Sequence, residues 1–97
     1  MVAIGNYFFM PNRQTLRRGD GPEVKLSYRE TQLLQLLYND RNNLLDRKKA
    51  LMTLWGDDSY YNRRTMDVFI SKLRRHLRHD ATIAIINMRG AGYKLIC

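Results

Sequence analysis

Six cations, Arg63, Arg64, Lys72, Arg74, Arg75 and Arg78, crowd residues 63 to 78, against Asp67 and Asp80 alone. A helix face that is merely solvated usually mixes the signs of its charges, and this stretch does not. Taking roughly 100° per residue, Met66, Ile70, Leu73 and Leu77 fall in one stripe, the core-facing side of an amphipathic helix. Val68 points the opposite way, among Arg64, Lys72 and Arg75. An element that enters a DNA major groove needs cations at its margins for phosphates. It also needs a Lys or Arg near its centre for guanine and a small apolar group for a thymine methyl. Val68 and Lys72, one turn apart, meet the last two requirements. Farther along, Arg89 begins the tight turn Gly90-Ala91-Gly92. From such a turn a long cation can project into a minor groove, whose narrow A·T regions attract arginine.

Other chemistry finds less support. His76 and His79 stand three apart, but no third ligand lies near them in sequence and their neighbourhood is cationic, so no metal is expected. Asp57 and Asp58 form an acidic pair in a short loop, with nothing to suggest the burial that separates the pKa values of an acid and a base. No Ser or Cys lies in a nucleophile motif. Gly90-Ala91-Gly92 matches neither a Walker loop nor GxGxxG, and a strand follows it rather than a helix. Catalysis and cofactors are therefore not expected. Trp55 reads as partly core, with an indole N–H able to reach a phosphate at the domain edge.

The elements that must position these residues follow in order. Val2 to Met10, rich in Val, Ile, Tyr and Phe, predicts one strand, interrupted by Pro11-Asn12. A second strand spans Gln14 to Arg18 and ends at Gly19-Asp20-Gly21-Pro22, and a third spans Glu23 to Leu26. Ser27-Tyr28-Arg29-Glu30 matches a capping box. It opens a helix carrying Leu33, Leu34, Leu37 and Tyr38, which Asn39 to Asn43 terminate. Asp46 caps a second helix bearing Ala50, Leu51, Leu54 and Trp55, and Gly56 ends it. After a loop over Gly56 to Tyr61, Asn62 is the predicted cap of the third, cationic helix, about 62 to 78. Ile83, Ile85 and Ile86, the glycine turn, and Tyr93 to Ile96 make a hairpin. The order is three strands, three helices and a terminal hairpin. It predicts an α+β domain with a small N-terminal antiparallel sheet, a helix-turn-helix variant and a C-terminal wing.

Ninety-seven residues suffice for one small domain with a single core. Apolar residues at 44% and charged residues at 27% suit a folded chain. The formal charge of +8 favours a polyanionic partner, nucleic acid or an anionic membrane surface. The membrane option weakens because no run of 18 apolar residues and no signal-like opening are present. The cytoplasm is the expected compartment. The single cysteine, Cys97, excludes an internal disulfide.

With these residues assembled, the chain resembles the winged-helix DNA-binding effector domain of the OmpR/PhoB family of bacterial two-component response regulators. The resemblance rests on Leu26-Ser27-x-x-Glu30 with Leu33, Leu34 and Leu37, on Leu45-Asp46-Arg47 to Leu51, and on Trp55-Gly56. It continues through Arg64-Thr65-x-Asp67-Val68-x-Ile70-Ser71-x-Leu73-Arg74 and Met88-Arg89-Gly90-x-Gly92-Tyr93-Lys94-Leu95, covering essentially the whole chain. It implies sequence-specific binding of double-stranded DNA for transcription regulation. Val68 and Lys72 would face bases, flanked by Arg64 and Ser71. Arg64, Thr65, Arg74, Tyr93 and the Trp55 indole correspond to phosphate contacts, Arg75 joins them as a marginal cation, and Arg89 is the minor-groove wing arginine. Asp57, Asp58, Ser59, Tyr60 and Tyr61 correspond to the loop that contacts RNA polymerase. Phe69 stands where many members carry a phosphate-bonding histidine, and it is expected at the core margin. Ser71-Lys72 replaces a frequent Arg-Arg pair, so the base preference cannot be copied from relatives.

The family carries an N-terminal receiver domain, served by a cognate histidine kinase, which 97 residues cannot accommodate. With Met1-Val2 directly before the first strand, residues 1 to 97 are expected to be an isolated effector domain. The full regulator would place two such domains on neighbouring half-sites of a repeat. The alternative from another class is a winged-helix module for protein or RNA contacts.

Overall fold

The computed structural model describes residues 1–97, and in it two antiparallel sheets flank three helices. The first sheet has the order β1-β2-β3-β4, with β1 at Val2–Ile4, β2 at Tyr7–Met10, β3 at Thr15–Arg18 and β4 at Glu23–Lys25. The single strand expected over residues 2 to 10 is therefore two. Gly5, at φ +55°, reverses the chain so that Val2 pairs with Phe9 and Ile4 with Tyr7. Strand-forming residues on both sides mask the break, and glycine's tolerance of positive φ favours it.

Helix α1 (Tyr28–Asn39) begins at the expected capping box. The Ser27 hydroxyl accepts from the Glu30 N–H at 3.1 Å, and the Glu30 carboxylate accepts from the Ser27 N–H at 2.9 Å. Helix α2 (Arg47–Trp55) is capped by Asp46, whose carboxylate accepts from the Lys49 N–H at 2.8 Å, and it ends at Gly56 with φ +84°. Between them Leu44–Asp46 forms a strand, β5, that the sequence reading did not include. Three residues are too few to show a period, and the strand exists because β7 (Gly92–Ile96) lies beside it, Leu45 opposite Tyr93. With β6 (Ala84–Met88) the second sheet has the order β5-β7-β6, so the expected hairpin gains a third strand, paired with the turn-proximal part of β7.

Helix α3 spans Tyr60–His76. Its cap is Ser59, whose hydroxyl accepts from the Asn62 N–H at 3.2 Å, and not Asn62 as expected. The loop before it is accordingly shorter, Tyr60 and Tyr61 forming the first helical turn. Met66, Ile70, Leu73 and Leu77 are all buried, and each contributes roughly 1.5–3 kcal/mol of apolar burial. They join Leu33, Leu34 and Leu37 of α1, Leu51 of α2, Phe9 and Leu16 of the first sheet, and Leu95 of the second in one core. That stripe fixes the rotation of α3 and so decides which residues face out.

Candidate nucleic-acid interface

The outward side of α3 carries Arg64, Val68, Ser71, Lys72 and Arg75, all exposed. Val68 is 54% accessible and stands outside the buried core. It therefore lies in the middle of a cationic surface without helping to hold the fold. Arg64 reaches back along the helix, its Nη1 donating to the Tyr60 hydroxyl at 3.1 Å. Thr65 is half-buried and its hydroxyl donates to the Tyr61 carbonyl at 3.1 Å.

Phe69 packs at the core margin, as expected. It meets the half-buried Trp55, ring centroids 6.0 Å apart at 48°. The Arg29 guanidinium stacks on Trp55 at 4.9 Å, and the Lys72 ammonium stands 5.1 Å from the Phe69 ring. This row of cation, ring, ring and cation links α1, α2 and the exposed side of α3. Contacts of this kind contribute about 0.5–1 kcal/mol each at exposed sites.

The wing stands beside this helix. Its turn closes with the Ala91 N–H donating to the Met88 carbonyl at 2.7 Å, Gly90 at φ +71°, and Arg89 exposed at the tip. Directly after the turn Gly92, at φ +155°, lies against β5 so closely that a Cβ there would run into the Leu45 carbonyl oxygen. Between wing and helix runs a cleft of about 290 Å³, lined by Arg47, Asp67, Asn87, Met88, Arg89 and Tyr93 among others.

Two residues expected to face phosphates are instead engaged inside the domain. Tyr93 is 5% exposed and its hydroxyl donates to the Asp67 carboxylate. Burial, that hydrogen bond and the Asp67 charge push the phenol far above its usual pKa, against Arg47 and Arg74, so it remains a donor. Arg74 lies at the helix edge, where its guanidinium turns toward β6. Nε and Nη2 donate to the Ile85 carbonyl at 3.0 and 2.7 Å, and Nη2 also donates to the Asn87 side-chain oxygen at 2.9 Å. The partners lie 11 and 13 residues away in sequence, beyond any local pattern. Asn87 had carried no expectation, and its position within an apolar strand was the only signal.

The segment before α3 is a built turn. The Asp57 carboxylate accepts from the Ser59 N–H at 3.0 Å and from the Asn62 amide at 2.6 Å, and these bonds hold its pKa below the usual value. Asp58 and Ser59 are exposed beside it, and Tyr60 and Tyr61 are 68% and 77% accessible. On the opposite side His76 pairs with Glu30 of α1 at 3.0 Å. Burial pushes the Glu30 carboxyl up, and the two Ser27 bonds together with His76 outweigh it, leaving a lowered pKa. No three His, Cys, Asp or Glu side chains gather as a metal site would require, and no helix is long and apolar enough to cross a membrane.

The chain is similar to known proteins in sequence and in fold. Residues 21–95 match the family described as transcriptional regulatory protein, C terminal. The transcriptional regulatory protein RprY of Bacteroides fragilis is 50% identical over 96 residues, 99% of this chain and 40% of RprY. The chain thus spans two fifths of that relative's length. The crystal structure of the DNA-binding domain of E. coli CpxR superposes with a TM-score of 0.82 at 25% identity, covering 97% of this chain and 93% of that one. The Klebsiella pneumoniae RstA DNA-binding domain, crystallised in complex with the RstA box, gives a TM-score of 0.79 at 28% identity over 98% and 95% of the two chains.

Proposed function

The chain belongs to the family of C-terminal domains of transcriptional regulatory proteins, and on that premise we propose how it acts on DNA. It is the DNA-binding effector domain of an OmpR/PhoB-type response regulator, residues 1–97 working as one unit. Helix α3 enters the major groove, where Val68 meets a thymine methyl and Lys72 a guanine, with Arg64 and Ser71 beside them. Thr65, Arg75 and the Trp55 indole hold phosphates, and Arg89 enters the adjoining minor groove. Arg74 and Tyr93, whose polar atoms are engaged within the domain, are left out of the phosphate set. The observation that carries this reading is Val68, 54% accessible at the centre of a single-sign cationic face.

The rest of the regulator follows from the same reading. An N-terminal receiver domain, addressed by a histidine kinase in the cytoplasm, pairs two effector domains on half-sites about one helical turn apart. Tyr60 and Tyr61, with Asp57, Asp58 and Ser59, form the surface that meets RNA polymerase. No catalytic step is assigned to the chain.

Selection on randomised duplex DNA, followed by titration of the recovered site at several salt concentrations, tests the reading. Each phosphate that a cation of α3 or the wing neutralises adds about −0.9 to the slope of log K against log salt, so the slope should be clearly negative. A flat slope, or no recovered consensus, rejects DNA reading in favour of a protein-contact module.

A further inference from the structure

Of the six cations on and around α3, Arg74 is the one whose guanidinium is spent on another element of the fold. It makes three hydrogen bonds, two to the Ile85 carbonyl and one to Asn87, all on β6. A guanidinium has only donors, so the Asn87 amide must present its oxygen to it, which orients that side chain as well. Two helical turns earlier Asp67 accepts from Tyr93 on β7. Residues seven apart share a helix face. The wing is therefore held to one edge of α3 at two points, once through each of its strands. On α3 both ties lie off the core stripe, Arg74 and Asp67 being exposed, while their partners on the wing strands, Ile85 and Tyr93, are buried. Asn87, Asp67 and Tyr93 of these ties line the same cleft as Arg89.

We infer that Arg74 is a positioning residue: by holding Ile85 and Asn87 from α3, it sets where Arg89 stands relative to Val68 and Lys72. The inference rests on the DNA reading proposed above and changes one part of the expectation drawn from sequence, in which Arg74 bonds phosphate directly. The chemistry favours the fork. A planar guanidinium can bond a carbonyl through two nitrogens at once, a geometry lysine lacks. With Nε and Nη2 both turned toward β6, only Nη1 has no partner within the domain. The consequence is that major-groove and minor-groove contacts are coupled. A duplex that suits α3 but has its narrow A·T stretch displaced by one base pair loses the Arg89 contact, because the wing cannot shift independently.

Two measurements on the full 97-residue chain decide this. The first needs no DNA. Arg74→Met keeps the aliphatic stem and removes the donors, and amide hydrogen exchange across β6 and β7 should accelerate about tenfold or more while α1 is unchanged. Arg74→Lys should restore little, and Asn87→Ala should move the same amides by a smaller factor. Unchanged wing protection in Arg74→Met overturns the inference.

The second uses the duplex that the wild-type chain selects from a randomised pool. Arg89→Ala should weaken binding about tenfold in the wild type, and by about twofold or less when Arg74→Met is already present. If the Arg89→Ala loss is equal in both backgrounds, Arg74 does not act through the wing. A fall of about 0.9 in salt slope on adding Arg74→Met to Arg89→Ala identifies it as a phosphate ligand instead. Should the wild type select no duplex, the DNA reading fails, and the exchange experiment still decides the brace.

Discussion

The two sheets are both antiparallel, yet they attach to the helices by different means. In the first, strands adjacent in sequence are adjacent in space. A buried carboxylate in the loop after α3 ties this sheet in: Asp80, 5% exposed, accepts from the Asn6 N–H at 2.7 Å and, within its own loop, from the Thr82 N–H and hydroxyl at 2.9 and 2.6 Å. These bonds hold the Asp80 carboxyl below its usual range. In the second sheet β5 comes from 38 or more residues before the hairpin it joins (Asp46 to Ala84), and Arg74 and Asp67, which tie it to α3, are exposed. Both sheets contribute to the core, the second through Leu45, Ile85, Tyr93 and Leu95. They differ in the α3 side of their polar ties: a buried carboxylate after the helix serves the first sheet, and two exposed side chains on the helix, Arg74 and Asp67, serve the second.

The sharpest test of that contrast compares two glycines. Gly92, next to the turn of the wing, faces backbone, the Leu45 carbonyl and the Arg47 N–H, while Gly5, in the turn between β1 and β2, faces side chains, those of Asp80 and Ile83. Backbone cannot give way and side chains can. Gly92→Ala should cost about 3 kcal/mol or more, and Gly5→Ala about 1–2 kcal/mol, both sites having positive φ. Urea denaturation measures both, and equal costs would break the distinction.

A second substitution tests the claim that the outward face of α3 carries no fold. Lys72→Ala should cost about 1–3 kcal/mol in binding, confined to preference at one base pair. Its stability should fall by no more than the roughly 0.5–1 kcal/mol of the Lys72–Phe69 contact. A binding loss spread evenly over all sequences, or a stability loss well beyond that contact, would show that the face is not divided as described.

The smallest effect concerns acid. Glu30 ties α1 to α3 away from the wing, and its folded pKa lies below the ordinary 4.5. A lowered folded value means that the group adds stability above 4.5 and loses it as pH falls through the folded pKa. Glu30→Gln should therefore be less stable than wild type near neutrality, by about 1 kcal/mol or less, and the difference should vanish in strong acid. A gap that widens on acidification reverses the sign and rejects the assignment.

Where a signal is carried by neighbours three or four apart, it was readable from the chain. The capping box of Ser27 and Glu30, the Asp46 cap, the Gly56 terminus and the buried stripe of α3 all occur where the residues indicate. The Ser59 cap was missed because Asn62, three residues on, is an equally good capping type, and only the bond from Asn62 to Ser59 distinguishes them. Strand β5 and the split between β1 and β2 have short or masked local signals and depend on partners elsewhere. For the candidate interface, the exposure of Val68 followed from helical periodicity alone. The engagement of Arg74 and Tyr93 did not, because residue type shows that a group can bond phosphate but not whether a nearer acceptor has already taken it.

By itself the amino-acid order determined the three helices, the apolar stripe that turns α3 and the concentration of positive charge on its outward side. These depend on backbone hydrogen bonds and side-chain spacing within a few residues. Packing in three dimensions decided the third strand beneath the wing, the internal commitment of Tyr93 and Arg74, and the place of Arg89 beside the helix. Those depend on groups distant along the chain competing for the same donors and the same space, and such competition is settled only when the chain is folded.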